Sequence, residues 1–344
     1  MTGAAHIARA LMLALGLSAC ASAPRVLEPA PAWPPAPATA RIQFIDSLSG
    51  PEDVGRGMLR RIIRTARGRH LPSLGKPHGL AVASGILYVA DSHLAIVHVF
   101  DRAKGRYRYF PKRPVDGFRR PIGVAVTESG RVFVSDAESA RVHVFEAGGK
   151  RYGGALGEGL LERPTGLALS PDGRLLVVDT VASTLLAFDP ESGAHLTTIG
   201  RSGKGADGFH YPTDVAVAAD GTIYVADTLN FRVQVIAPDG GFLGHFGAAG
   251  DAPGYFSRPK AVAVDGDGHL YAVDALFDNV QVYGPGGKLL LAFGGPGSGP
   301  GQFWLPSAIT IDHLNRIYIS DPHNGRVQVF EYLPEDTVSK GEAP

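Results

Sequence analysis

From about residue 77 to residue 330 the chain alternates short apolar runs with polar turns, and no stretch there sustains a helical period. "GVAV", "VFVSD" and "RVHVFE" (123–126, 132–136 and 141–146) are typical. Alternation at period two predicts strands with a covered face. The runs come in groups of four. A proline opens strand a, and a Gly-containing turn such as Asp172-Gly173 or Asp220-Gly221 leads into strand b. Strand b ends in Asp, and strand c follows at once, as in Arg232-Val233-Gln234-Val235. A fourth run, strand d, precedes the next proline; "GFLGHFG" (241–247) is one.

The opening prolines are Pro77, Pro121, Pro164, Pro212, Pro259 and Pro306, spaced 44, 43, 48, 47 and 47 residues apart. The aspartates that end strand b are Asp91, Asp136, Asp179, Asp227, Asp274 and Asp321. Periods of this length mark a repeat architecture. Four antiparallel strands repeated six times predict an all-β fold, a six-bladed β-propeller. In strand a the second and fourth residues after Pro are mostly small (Gly79 and Ala81, Gly123 and Ala125), whereas the third and fifth are branched (Val124 and Val126). One sheet face is therefore flat and the other knobbed, so neighbouring blades can interdigitate. Leu74, Phe118, Leu161, Phe209, Phe256 and Phe303 each stand three residues before a proline and are expected as wedges between blades. The last unit has strands a, b and c, followed by the polar "LPEDTVSKGEAP" (333–344). The alternating "RIQFIDSL" (41–48) is expected to supply the missing strand, closing the ring and removing its open edges.

The start of the chain reads differently. The apolar run "ALMLALGL" (10–17) is too short to span a membrane and fits a secretion signal. Leu17-Ser18-Ala19-Cys20 resembles the lipobox of bacterial lipoproteins, which implies lipidation of Cys20, the only cysteine present. With Ala21 rather than Asp next in line, the resemblance further implies a place in the bacterial cell envelope at the outer membrane. Residues 24–39 hold six prolines and are expected to form an extended tether, at ~3.1 Å per residue about 50 Å long. The expected organisation is a signal peptide over 1–19, lipidated Cys and tether over 20–40, and a propeller over 41–332 with a basic insertion at 51–73. A polar tail follows over 333–344.

Taken together, P-x-G-[VL]-A-V and Y-V-A-D-x-x-N-x-R-V-Q-V-[FI] resemble NHL repeats, over residues 74–332. The residues carrying the resemblance include Pro212, Tyr224, Asp227, Asn230, Arg232 and Gln234, and again Pro306, Tyr318, Asp321, Asn324, Arg326 and Gln328. Individual units drift from the D-x-x-N-x-R turn, with Ala182 and Thr184, and with Phe277 and Asn279, in place of Asn and Arg. The resemblance implies a propeller and says little about activity. The repeated Asp is read as structural, bonding the backbone of its b–c turn.

Charge narrows the field of partners. The 344 residues carry 33 Lys and Arg against 33 Asp and Glu, so net charge implies no polyanionic partner. In a propeller the d–a and b–c loops share one mouth, and the residue after each proline is expected to face the central channel. These are His78, Ile122, Thr165, Thr213, Lys260 and Ser307. The amidating lyase that resembles NHL proteins uses zinc-binding histidines at such positions. Zinc needs three or four ligands, and one histidine falls short. Lactonase propellers hold calcium with several oxygens, whereas Asp214, one place further along, stands alone. "DGDG" (265–268) is read as a hairpin turn. Neither a G-x-S-x-G elbow nor a cysteine occurs in the body. No catalytic residue, metal or cofactor is therefore expected.

The remaining signal is cationic. Lys76, Arg120, Arg163 and Arg258 immediately precede their prolines, Lys260 follows one, and "GRGMLRRIIRTARGRH" (55–70) adds six arginines and a short amphipathic helix pattern. The expectation is a non-catalytic binding module whose basic mouth recognises an anionic envelope polymer or an envelope protein, with no nucleic acid and a monomeric body. Its ligand set is Lys76, His78, Arg120, Arg163, Thr213, Asp214, Arg258 and Lys260. Leu94, Val181, Leu229, Leu276 and Phe277 in the b–c loops add apolar contact surface. The alternative expectation is a metal-dependent hydrolase or lyase using His78 and Asp214 in the channel.

Overall fold

The computed structural model describes residues 30–54 and 71–334. The expectations for the signal peptide and Cys20, for the arginine-rich segment 55–70 and for the tail from residue 335 lie outside the described residues. The rest is all-β, in six antiparallel sheets arranged as blades, with one short parallel pair, Arg201–Ser202 with Gly208–Phe209, between blades three and four.

Blade one comprises Pro77–Ala83, Ile86–Asp91, Ile96–Asp101 and Arg106–Phe110; blade two comprises Pro121–Val126, Val132–Asp136, Arg141–Glu146 and Arg151–Leu156. Blade three runs through Pro164–Leu169, Leu175–Asp179, Thr184–Phe188 and His195–Ile199. Blade four runs through Pro212–Val217, Ile223–Asp227, Arg232–Ile236 and Phe242–Phe246. Blade five has Pro259–Val264, Leu270–Asp274, Asn279–Tyr283 and Leu289–Gly294. In blade six, Ala308–Ile311, Arg316–Asp321 and Arg326–Tyr332 are completed by Ile42–Leu48, which pairs antiparallel with Arg326–Tyr332 from Ile42↔Tyr332 to Leu48↔Val327. The expected closure by the N-terminal strand is what the chain adopts.

The core is divided into six wedges, each between two neighbouring blades. Between blades five and six, for example, Tyr271, Val273 and Val280 meet Ile309, Ile317 and Phe330. The large residue three places before each proline is buried in such a wedge in all six units, from Phe118 at 8% exposure to Phe256 and Phe303 at 0%. Small residues in strand a are required where innermost strands nearly touch. A Cβ on Gly79 would lie 2.3 Å from the Ile122 carbonyl oxygen, and one on Gly123 would lie 2.2 Å from that of Thr165.

The described part of the proline-rich stretch, residues 30–39, departs from the expected free tether. Ala32–Trp33 adds a fifth strand to blade six by pairing with Ile42 and Gln43. The Trp33 ring stands 5.9 Å from Phe293 and 6.0 Å from Phe330. Burying an indole against two phenyl rings outweighs the preference of a proline-rich segment to stay extended in water.

Candidate functional site: the mouth and the axial channel

Each strand-b aspartate is fully buried and clips two loops together. Asp136 accepts the backbone N–H of Arg119 (2.6 Å) and Arg120 (2.7 Å) from the d–a loop, and of Glu138 (3.0 Å) and Ser139 (2.9 Å) from its own b–c turn. Asp91 does the same for Gly75, Lys76, His93 and Leu94. Burial would raise the Asp91 carboxyl, but His98 and the Gly75, Leu94 and Lys76 amides hold it down at about 2. Asp179 fixes the Arg163 amide at 3.0 Å, and Asp274 fixes that of Arg258 at 3.0 Å. The structural reading of these aspartates is therefore correct, and it reaches further than the b–c turn: it joins both loop sets on one face.

This clip decides where the cations go. The aspartates take the backbone amides of Lys76, Arg120, Arg163 and Arg258, not their side chains. The arginines that do pair with the clip lie on strand c, Arg232 with Asp227 and Arg326 with Asp321, both at 2.8 Å. The four residues before the prolines are exposed. Among the described residues, their side chains form no ion pair with an acid.

At the axis the ring divides in two. Thr165, Thr213 and Ser307 belong to a belt of hydroxyls tying strand a of one blade to the next. Thr213 Oγ1 donates to the Lys260 carbonyl at 2.7 Å, and Thr180 Oγ1 donates to that of Pro212 at 2.7 Å. Thr228 Oγ1 reaches Pro259 O at 2.8 Å, and Ser320 Oγ reaches His78 O at 2.5 Å. Thr213 thus serves the ring, and its hydroxyl is committed. The belt donors were missed in the sequence because their offset varies: Ser135 and Ser320 precede the clip Asp, whereas Thr180 and Thr228 follow it.

His78, Lys260 and Asp214 are titratable groups at the axis, and Lys260 acts on both of the others. Burial, then Lys260, Arg120 and Lys76, against the pull of Asp91, lower His78 to about 4, so it is neutral at pH 7. Burial and Arg258, with Arg163 behind it and Asp214 opposing, lower Lys260 to about 8. Burial raises Asp214 to about 7 against the Val262 and Val215 amides and Lys260. Asp214 Oδ2 accepts the Val262 N–H at 3.0 Å, and Gly166 makes room, since a Cβ there would sit 2.5 Å from Asp214 Oδ1. Below the mouth, a channel of about 290 Å³ is walled by strand-a residues of all six blades, with Asp214 as its carboxylate. The expected set of Lys76, His78, Arg120, Arg163, Asp214, Arg258 and Lys260 is thereby brought to one end of the ring.

Because the folded value of Asp214 lies above its ordinary 3.8, its contribution to stability falls as pH climbs from about 4 to about 7. Relative to wild type, Asp214→Asn should gain about 2–3 kcal/mol between pH 4.5 and pH 8, allowing for solvent in the channel. Denaturant titrations at both pH values measure this, and an unchanged difference would refute a desolvated Asp214.

Around this centre Leu94, Val181, Leu229 and Leu276 project into solvent as expected, and Phe277 is partly covered. Tyr211 and Trp304 join them, 43% and 55% exposed, from the d–a loops. Among the described residues one group has the spacing to hold a metal, Asp265, Asp267 and His269, and it lies in an a–b turn away from the mouth. The Asp265 carboxylate is already taken by the Asp267 and His269 amides, His269 Nδ1 and the Tyr271 hydroxyl. Asp312 and Tyr318 repeat the pattern in blade six, where Arg316 stands in place of the histidine. This supports the hairpin reading.

A family model described as the NHL repeat matches residues 118–145 and 209–236. The chain carries NHL repeats. Among solved structures, the NHL propeller is similar to virginiamycin B lyase from Staphylococcus aureus, with 13% identity, TM-score 0.56, and 75% of this chain and 96% of that one covered. It is also similar to a protein of unknown function from Bacteroides thetaiotaomicron (16%, TM-score 0.63, 85% and 75% covered). A third is regucalcin, a calcium-binding protein from Agrobacterium tumefaciens (15%, TM-score 0.56, 75% and 90% covered). At such identities the shared property is the fold. Comparison with curated proteins gave no match.

Proposed function

We propose that this protein is a lipid-anchored binding module of the bacterial envelope that captures an anionic partner, an acidic protein surface or an acidic polymer, on its basic mouth. The observation that carries the reading is the set of Lys76, Arg120, Arg163 and Arg258, held by their backbones around Lys260 and left without acidic partners among the described residues. Exposed cations gathered at one rim repel one another and concentrate anions by several kT. An arriving anionic group would relieve that repulsion, and Lys260, lowered by burial and by Arg258, would regain proton affinity. Exposed apolar side chains at the rim supply contact area of the kind macromolecular partners use. Anchorage rests on the lipobox-like Leu17–Cys20, and the docked Trp33 would set how close the mouth stands to the membrane.

Reversal of three charges, Arg120→Glu with Arg163→Glu and Arg258→Glu, should abolish crosslinked capture of the partner from envelope extracts. The melting temperature should move little, because exposed side chains without contacts contribute within about 0.5 kcal/mol each. Undiminished capture by the folded triple variant would refute the basic-mouth reading.

A further inference from the structure

Two adjoining cavities open between blades one and two at the c–d turns, the end of the ring opposite the mouth. The first, of about 630 Å³, is bordered by Tyr88, Tyr107, Arg106, Arg108, Gly148 and Lys150 among others. The second, of about 480 Å³, is bordered by Arg108, Tyr109, Lys112, Arg113, Lys150 and Tyr152. Arg108 and Lys150 line both, so they stand at the divide. Each chamber is of the size that small-molecule sites occupy.

The chemistry of the walls is uneven in a neutral protein. Arg106, Arg108, Lys112, Arg113 and Lys150 face the chambers, against the carboxylate of Asp101, which already accepts the Lys104 amide at 3.0 Å. Aromatic rings alternate with these cations. Lys112 Nζ lies 3.1 Å from the centre of the Tyr109 ring. Tyr152 is 39% exposed and stands 5.3 Å from Phe145. Arg108 is seated by a glycine: a Cβ on Gly148, at φ +67°, would come within 2.9 Å of its Nη2 and 3.2 Å of the Tyr88 hydroxyl.

A purely apolar ligand would leave this rim of cations unused, and a lone phosphate would fill neither chamber. A chain of hydroxyl-bearing pyranose rings, each with an apolar C–H face and a recurring carboxylate, meets both demands. The apolar C–H face of a sugar covers the exposed ring of Tyr152, and a carboxylate meets a guanidinium in the fork geometry that favours arginine. We propose that the double notch binds an acidic oligosaccharide of the uronic-acid type, with consecutive sugars in the two chambers and a carboxylate at the Arg108–Lys150 divide. The site is independent of the mouth.

Titration calorimetry of the purified protein with oligogalacturonate, a neutral dextran oligosaccharide and an oligothymidylate tests this. The expected result is salt-sensitive binding of oligogalacturonate in preference to the other two. It should weaken roughly tenfold or more in Lys150→Glu, persist in Lys150→Arg, and be unchanged in the Arg120, Arg163 and Arg258 reversal variant. Arg108→Gln should weaken it likewise. If that variant melts early, Lys150→Glu, at an exposed turn, decides alone. Absence of oligogalacturonate binding, indifference to Lys150→Glu, loss in the mouth variant, or preference for the oligothymidylate would each overturn the proposal.

Discussion

A chain that begins at Ser49, and so lacks Ile42–Leu48, will fail to give a soluble monomeric ring. That strand pairs with Arg326–Tyr332 from Val327 to Tyr332, and without it the last blade presents an unpaired edge. Ile42 and Leu48 are both fully buried, and they lie in different wedges, between blades five and six and between blades six and one. Their burial alone is worth about 3–6 kcal/mol, comparable with the whole stability of many domains. The loss also opens the seam between the first and last blades, so it spreads to both neighbours. A shorter truncation that begins at residue 40 removes the Ala32–Trp33 pairing and the indole contacts but keeps the closing strand, and it should stay folded with a lower melting temperature. Size-exclusion chromatography and thermal melts of the two truncations check this. A Ser49 start that remained monomeric at the full-length melting temperature would refute closure by the N-terminal strand.

The ring was legible because its evidence is repeated. A single Pro-to-Asp phrase has many readings, but six in register leave one, and the count of strands in the last unit pointed to residues 41–48. The mouth cations were legible for the same reason, since Lys76, Arg120, Arg163 and Arg258 hold one position in the repeat, and that position is the amide the clip Asp binds. What escaped depends on partners outside the repeat. Trp33 docks on Phe293 and Phe330, residues far away in sequence and in no shared motif. The setting of Asp214 depends on Gly166 and Val262, one blade to either side. The notch between blades one and two joins "RYRYFPKRP" (106–114) to Lys150 and Tyr152 of the next unit. Its basic and aromatic composition is visible in one segment, but the chambers exist only once two blades meet. Drift among units was also visible without its meaning: in blades three and five, where Asn and Arg are lost after the clip, the carboxylate accepts backbone amides, whereas in blade one His98 joins them at 3.3 Å.

That drift makes the second large effect specific. Asp227→Ala should cost about 3–5 kcal/mol in denaturant unfolding, because it breaks a buried ion pair from one side. The Asp227 carboxylate accepts the His210 amide at 2.7 Å, Asn230 Nδ2 at 2.7 Å, Arg232 Nε at 2.8 Å and Gln234 Nε2 at 3.0 Å. The Arg232 side chain is 9% exposed, so its charge would be stranded, although its Nη2 keeps the Gly205 and Gly208 carbonyls at 2.7 and 2.8 Å. Blade three provides the control. Asp179 accepts the Glu162, Arg163 and Ala182 amides and no guanidinium, so Asp179→Ala should cost less, about 1–3 kcal/mol. Asp321, with Asn324 and Arg326 arranged as in blade four, should follow Asp227. Equal losses at Asp179 and Asp227 would mean that the guanidinium adds nothing and the clip is an amide device throughout. The predicted order, with both arginine-bearing units above the arginine-free one, ties the repeated carboxylate to two tasks: it holds the ring's loops in every blade, and in blades four and six it also neutralises a buried cation, leaving the exposed cations of the mouth for a partner.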